Sequence, residues 1–506
     1  MTNFSKNWFY LHPEPLRPGN KLTNYCVIDY FNLAASSNTY STNNSEQHFK
    51  TRSFFGNATV GWDDLVYFDG VLRYDIDSRL PKAKNGYLYG GASLSFMASK
   101  LVKAPWLDFW KVRASIAQVG STIDVYQVEP TYTVGNKTHG QTTMYEPATL
   151  KNENVKPTIS TSYEIGTEFK LFKNRLYGDI NFYRKDTKND IIDANVLPQS
   201  GYAYRKLNAG LVRNQGIEIV LGGTPVKTKD FTWELSANIA KNNNKLIELT
   251  EDQDEYTIYW TRFYYAWYNK AVAGKPVGVI TSAARWAKTE DGTPILQAGN
   301  DTWGDVRPTY ELNKEKEVGN VQPKFTGGFS TSFRYKDVTL SASLDYLVGG
   351  KLVSWTNMWG TGSGLLASTA KVNNRGVNER EPVACGGGVY MEGVDADGNP
   401  MSGYVDAYQY YHYKAYYDCD SWVYDRTYVK LREVALKWDI PSSLTKKLGI
   451  GITKASIAAV ATNPWLIYSA VPNLDPSEIA GVEYNYLEGG QAMSTRSFGL
   501  TLNITF

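Results

Sequence analysis

The stretch Arg496-Ser-Phe-Gly-Leu-Thr-Leu-Asn-Ile-Thr-Phe506 decides the fold class of this chain. Its apolar residues alternate without interruption with small or polar ones, and successive side chains of a β-strand point to opposite faces. The stretch therefore predicts a strand with one apolar and one polar face. Its apolar side consists of Phe498, Leu500, Leu502, Ile504 and Phe506. In a closed barrel the last strand pairs with the first, which removes the open edges, so we expect this segment to be a barrel closure strand.

The same alternation recurs along most of the chain. In Phe231–Ala240 the apolar residues occupy every second position and alternate with polar ones such as Glu234 and Asn238. Comparable segments lie near 54–62, 66–75, 88–97, 111–119, 163–171, 176–183, 215–222, 324–335, 338–346, 428–438 and 453–462, with less regular ones near 190–196 and 256–268. The pattern predicts about fourteen antiparallel strands.

The connections between these segments fall into two lengths. Lys173-Asn174 and Lys336-Asp337 form tight turns, whereas about 98–110, 120–160, 270–322 and 349–424 form long loops. Alternating short and long connections are typical of a transmembrane β-barrel with short periplasmic turns and long extracellular loops. A soluble sandwich or propeller also alternates, but its strands average ~5–6 residues. The longer segments here, with charged residues in mid-strand, favour an antiparallel transmembrane β-barrel.

The bulk composition excludes several other classes of protein. The chain has 506 residues, a net charge of +2 and 14% aromatic residues, so no global field attracts nucleic acid. No run of ~18 apolar residues predicts a transmembrane helix. The three cysteines are too widely spaced for a zinc site.

Enzymatic chemistry finds little support in the motifs. His12, His48, His139 and His412 form no HExxH or close pair, and neither GxSxG nor a Walker-type loop is present. We therefore expect no enzyme, no cofactor and no metal. The acidic run Glu251–Glu255 is interpreted as a solvated loop. Asp395–Asn399 has part of a calcium-loop pattern but lacks the downstream glutamate, so a β-turn is the preferred interpretation over a calcium site.

Several segments resemble the C-terminal half of the SusC/RagA family, the TonB-dependent importers of Bacteroidetes outer membranes. The segments in chain order are Leu72–Asp75, Ser78–Pro81, Lys111–Gly120, Ser162–Gly166, Asn208–Gly210, Asn214–Glu218, Gly319–Pro323, Arg426–Val434, Ile440-Pro441, Asn463–Trp465 and Asp475-Pro476. Each is weak alone, but their order and spacing are specific. The resemblance assigns residues 51–506 to the C-terminal part of the barrel and leaves residues 1–50 as an uncertain segment, either a loop or a barrel strand.

The resemblance implies a ~22-strand outer-membrane barrel, of which this chain supplies about fourteen strands. It implies uptake of an oligosaccharide or a peptide with a SusD-like surface lipoprotein, and coupling to the TonB complex through a plug domain. Plug and signal peptide are expected to lie outside this chain. Two alternatives remain open: a passive pore without a plug, and a soluble glycan-binding β protein.

Aromatic clusters supply the candidate ligand-binding residues. Tyr and Trp suit surfaces that are half apolar and half wet, so such clusters are interpreted as a stacking surface at the mouth of the lumen. The alternative is an interfacial girdle with loop packing. The candidates are Trp260, Tyr264, Trp267, Trp355, Trp359, Tyr410, Tyr411 and Trp422.

Overall fold

A single antiparallel sheet, here called the wall, dominates the computed structural model of the chain. The structure describes residues 2–7, 45–129, 131–138, 141–196, 198–250, 253–263, 265–445, 447, 451–479, 486–489 and 494–506. Each wall strand is hydrogen-bonded to the next one in chain order. The strands are β1 (Thr2–Asn7), β2 (Ser45–Trp62), β3 (Val66–Asp77), β4 (Gly86–Phe96), β5 (Leu107–Ser121), β6 (Thr158–Leu171), β7 (Leu176–Asn195), β8 (Tyr204–Lys227), β9 (Phe231–Glu248), β10 (Phe325–Tyr335), β11 (Val338–Val348), β12 (Tyr428–Ile440), β13 (Lys454–Ser469) and β14 (Ser497–Thr505). The predicted all-β meander is confirmed.

The four longest connections all lie at the same end of the wall. One end carries 63–65, 97–106, 172–175, 228–230, 336–337 and 441–453, and the other carries 78–85, 122–157, 196–203, 249–324, 349–427 and 470–496. The tight turns predicted at Lys173-Asn174 and Lys336-Asp337 are confirmed, with positive φ at Lys173, Asn174 and Lys336. The prediction of a long external loop at 98–110 is wrong. That connection lies at the short-turn end, where the Met97 amide donates to the Leu65 carbonyl oxygen at 2.8 Å.

Strand register gives the wall one apolar and one polar face. Leu340 lies opposite Leu436, which lies opposite Ala459, which lies opposite Leu500. On the opposite face, the matching row is Ser343, Glu433, Thr462 and Ser497. A one-residue slip would exchange these faces throughout, so the alternation and the register support each other.

The closing segment of the sequence forms β14, an edge strand of the described sheet. It pairs with β13 from Ser497↔Thr462 to Thr505↔Lys454, and its apolar side chains are exposed, with Leu500 at 79%. In water such exposure would be unfavourable. Pairing of β14 with a first strand remains a prediction.

Two of the less regular segments differ from expectation. Residues 190–196 include the end of β7 rather than a separate strand. The segment near 256–268 lies outside the wall, in a four-stranded antiparallel sheet of Glu255–Phe263, Tyr265–Val272, Val279–Trp286 and Tyr310–Asn320. Its aromatic alternation is typical of a barrel strand, but the described side chains of this sheet pack within the long insertions.

The remaining elements are short. The helices are α1 (Trp355–Gly362), α2 (Ala407–Tyr417) and α3 (Ser442–Thr445). Further strands are Thr133–Thr138, Gln141–Tyr145, Thr149–Leu150, Leu296–Ala298, Val306–Pro308, Lys351–Ser354, Val389–Val394, Pro400–Val405, Val423–Asp425 and Leu487–Glu488. None of the helices within the described residues has the length and apolar character needed to cross a membrane.

Candidate functional site

The long insertions fold together at one end of the wall into a unit that we call the loop assembly. It comprises 349–427 and the described residues of 249–324 and 470–496. Its first core takes buried side chains from all three insertions. They are Trp267, Ile280, Ala284, Val321, Val353, Met358, Ala415, Cys419, Trp422 and Tyr486. The connections are therefore packed like a small soluble domain.

A second core joins two of the insertions. It contains Trp286, Leu296, Trp303, Val306, Met391 and Val405. The Asp305 amide donates to the Tyr404 carbonyl oxygen at 2.8 Å, and the Tyr404 amide donates to Asp305 Oδ2 at 3.0 Å. The hairpin Val389–Val405 is thereby fixed against residues 296–308.

Helix capping sets the positions of α1 and α2. Ser354 Oγ accepts from the Asn357 amide, and Asp406 Oδ1 accepts from the Gln409 amide at 3.1 Å. Such N-caps satisfy amides that have no partner within the helix. Glu488 extends the first cap, because Ser354 Oγ donates to its Oε2 at 2.7 Å. The two helices pack side by side, and Gly362 leaves room for Ala415.

The structure places two of the predicted ligand-binding tryptophans inside the first core. Trp267 is 1% exposed, and its indole N–H donates to the Cys419 carbonyl oxygen at 3.2 Å. The Trp422 indole N–H donates to the Lys414 carbonyl oxygen at 3.3 Å. Both indoles stabilise the loop assembly, and their binding of a ligand remains a prediction that would require the core to open.

The other candidates are placed more variably. Trp355 is half-buried, and Trp359 is exposed and meets the Tyr416 ring edge-on at 5.8 Å. Tyr410 and Tyr411 are in ring contact at 5.0 Å, and Tyr411 also donates to Glu379 Oε2 at 2.7 Å. Tyr264 and the side chain of Trp260 lie outside the described residues.

An aromatic ladder on α2 was missed in part by the sequence reasoning. The Tyr408 ring stacks on His412 with centroids 4.9 Å apart, and His412 contacts Tyr416 at 4.5 Å. The spacing i, i+4, i+8 aligns these rings on one helix face. Trp359 of α1 extends the ladder through Tyr416. The i, i+4 spacing of these residues in the sequence could have indicated the ladder, but only to a reader who already knew that 407–417 is helical.

Burial changes the acid–base properties of groups beneath this ladder. Burial raises the pKa of Tyr410 to about 12, and it lowers the pKa of Lys414. The Lys414 ammonium lies 5.4 Å from the Trp286 ring centroid and 5.7 Å from that of Tyr410. These are cation–π distances. Burial also raises the pKa of Asp418. The region is therefore partly desolvated.

The polar face of the wall carries ion pairs between strands, and one of them, Arg113–Asp179, reaches from β5 across β6 to β7. Arg113 contacts Asp179 through both terminal nitrogens at 2.7 and 2.8 Å. Lys111 pairs with Glu168 at 2.8 Å. Such pairs suit a hydrated lumen. The sequence alone could not match these partners, because matching requires the register.

The structure describes only part of the acidic run Glu251–Glu255, but all of Asp395–Asn399. Glu251 and Asp252 lie outside the described residues, while Glu255 accepts from Lys270 at 3.0 Å. Asp395 Oδ1 accepts from the amides of Asp397 and Asn399 at 2.9 Å, which is the geometry of a turn. In the described part of the chain, no group of three or more His, Cys, Asp or Glu side chains is arranged to hold a metal ion.

The comparisons with known proteins agree on one family. The family model described as TonB dependent receptor-like, beta-barrel matches residues 3–432. A TonB-dependent receptor of Formosa agariphila is 23% identical over 495 residues, covering 94% of this chain and 46% of that protein. The TonB-dependent receptor SusC of Bacteroides thetaiotaomicron is 26% identical over 458 residues, covering 86% and 42%. The chain thus spans less than half the length of these relatives.

A solved structure gives the same fold. The RagAB peptide importer in its "closed-closed" state superposes with a TM-score of 0.73 at 19% identity, covering 95% of this chain and 50% of that one. At this identity the similarity concerns the fold.

Proposed function

The chain belongs to the TonB dependent receptor-like β-barrel family, and from this premise we propose that it forms the wall and outer loops of an energy-driven importer. The observation that carries the proposal is the two-faced wall, with an apolar row such as Leu340, Leu436 and Leu500 beside a polar face holding Arg113–Asp179. One face suits lipid and the other suits water. Bond chemistry forms no part of the proposed activity.

The proposed cargo is an oligosaccharide or a peptide. The ladder of Trp359, Tyr408, His412 and Tyr416 supports this proposal, since its end members Trp359 and Tyr408 are exposed and its inner rings are half-buried. Such rings combine an apolar face with polar edges. The RagAB peptide importer, whose fold is similar to that of this chain, supports the peptide alternative. A SusD-like surface lipoprotein resting on the loop assembly and a TonB-coupled plug domain would complete the transporter.

A passive pore is the second candidate. It would need no plug and no energy source, whereas the importer would be closed at rest. The packed cores of the loop assembly favour the importer, because they place a packed unit at the end of the wall that carries the long loops. The soluble glycan-binding alternative is at odds with membership in a family of membrane barrels.

Two measurements test the proposal. The full chain, reconstituted in planar bilayers, is expected to show no steady large conductance; such a conductance would instead support the passive pore. Calorimetric titration of the detergent-solubilised chain, with its SusD-like protein, uses a linear maltooligosaccharide and an unstructured peptide. One of the two is expected to bind.

The aromatic ladder is tested in the same titration. Trp359→Ala is expected to weaken binding roughly tenfold, because losing an aromatic contact costs about 0.5–1.5 kcal/mol beyond the lost area. Trp438→Ala, on the apolar face of β12, is the matched control and should leave binding unchanged. Equal effects of both substitutions, or binding of neither ligand, would contradict the proposal.

A further inference from the structure

A group of cations lies on the apolar side of the wall, which we call the cationic patch. It consists of Arg184 on β7, Arg213 on β8, and Lys241 and Lys245 on β9, around the single carboxylate of Asp186. Their positions follow from the register. Ile180 lies opposite Ile219, which lies opposite Ile239, and residues at even spacing from these share their face.

The cationic patch begins where the apolar belt ends. Phe182 lies opposite Ile165 and Ile217, and Ile217 lies opposite Lys241. Asp186 lies opposite Arg213, which lies opposite Lys245. At ~3.3 Å per residue, the patch extends from the last apolar row to ~13 Å beyond it. It covers three strands spaced ~4.8 Å apart.

The patch lies toward the end of the wall that carries the long connections. These strands are joined at the other end by the turns 172–175 and 228–230, and at this end by 196–203 and 249–324. In barrels of this class the long loops are extracellular. The patch therefore lies at the headgroup level of the outer leaflet.

Asp186 holds the two guanidinium groups in place. Arg184 Nη2 lies 2.7 Å from Asp186 Oδ2, and Arg213 Nε lies 2.8 Å from Asp186 Oδ1. The carboxylate is nearly buried between them, whereas 46% of the Arg184 side chain remains exposed. One carboxylate offsets one of the two guanidinium charges. The guanidinium N–H groups that do not contact Asp186 are held in place and face outward.

The lysines add charge that no described residue neutralises. Lys241 and Lys245 are exposed, and no ion pair joins either to another described residue. The patch therefore has a local excess of three positive charges. In the next row, Lys188 and Glu248 lie on either side of Leu211 and offset each other. Tyr163, opposite Arg184, adds an exposed aromatic at the same level.

We propose that the cationic patch binds the phosphorylated headgroup of an outer-leaflet glycolipid, whose acyl chains lie along the neighbouring apolar belt. A free phosphate would gain nothing from the adjoining Phe182 and Ile217, whereas a lipid contacts both regions at once. The proposal goes beyond transport and depends only on the orientation of the wall in the membrane.

The test compares lysine variants of the full chain in nanodiscs of phosphatidylethanolamine containing lipid A or dephosphorylated lipid A. Native mass spectrometry counts the retained glycolipid. The wild type is expected to retain the phosphorylated form preferentially. Lys241→Gln with Lys245→Gln should weaken retention roughly fivefold per lysine. These lysines have no described partner, so the variant keeps its fold, which heat-dependent gel mobility verifies.

Lys185→Gln is the matched control. Lys185 lies between Arg184 and Asp186 but points to the opposite face, and it should leave lipid retention unchanged. The proposal is overturned if Lys185→Gln reduces retention as much as the double variant, or if neither does. Equal retention of dephosphorylated lipid A would also overturn it, as would displacement of the lipid by millimolar inorganic phosphate.

Discussion

The wall and the loop assembly use similar apolar side chains in opposite ways. In the wall, large residues such as Phe498 and Leu500 are about four-fifths exposed. In the loop assembly, Trp267 and Trp422 are buried and donate their indole N–H groups to carbonyl oxygens. The wall is stable when lipid covers its apolar face, whereas the loop assembly supplies its own core. Substitutions should therefore affect the stability of the wall and of the loop assembly separately.

The largest effect is expected from Trp267→Ala. Removing this buried indole should destabilise the loop assembly by about 3–5 kcal/mol, through lost transfer energy and a cavity. Urea unfolding followed by near-UV circular dichroism measures it, while the heat-dependent gel mobility of the wall should persist. Trp359→Ala, at an exposed position, should cost less than about 1 kcal/mol. Loss of the wall together with the loops would show that the regions fold as one.

A smaller effect is expected on the lipid face. Leu340→Arg should destabilise the wall by about 2–4 kcal/mol if the residue lies near the bilayer midplane. Ser341→Arg places the same side chain on the polar face and should have little effect. Reversible urea unfolding in lipid vesicles compares them. Equal destabilisation by both variants would contradict the assigned faces.

The smallest effect concerns the ion pair that fixes the last connection to the wall. Burial raises the pKa of Asp475, but hydrogen bonds from Lys430 and Ser477 outweigh it, so the pKa is lowered overall. Lys430 Nζ lies 2.7 Å from Asp475 Oδ2. The stabilisation is fully present above the ordinary aspartate pKa of ~3.9. It is lost as pH falls through the lowered folded value.

Hydrogen exchange of residues 470–479, measured from pH 6 downward, tests this prediction after correction for the intrinsic exchange rate. Protection should decrease at acid pH in the wild type. Lys430→Met removes the cation and should abolish most of this decrease. An unchanged pH profile in that variant would show that Asp475 does not fix the connection.

The sequence predicted the wall well because its signal is local. Alternation at period two, as in Phe231–Ala240, specifies a strand and both of its faces without knowledge of its neighbours. The resemblance to the SusC/RagA family was likewise confirmed. Strands β2 to β14 of the wall correspond to these repeats, whereas β1 lies in the segment that the sequence left uncertain, and the two less regular segments are not separate wall strands.

Features that depend on several strands or loops were not predictable in this way. The segment near 256–268 alternates like a wall strand, but Trp267 packs against residues more than 150 positions away. The pairing of Arg113 with Asp179 and the cationic patch emerge only when the register is known. For the same reason, sequence alone could not separate buried from exposed members of the aromatic clusters.

A pair of labels on the two faces of one strand can show that the wall has one face in lipid and one in water. Leu436 and Ala435 lie side by side on β12, facing opposite sides. Single cysteines at these positions, with native cysteines replaced, would carry an environment-sensitive fluorophore in lipid vesicles. The label at 436 should be quenched by lipid-borne spin labels and the label at 435 by aqueous iodide. Quenching of both labels by iodide alone would contradict the two-faced wall.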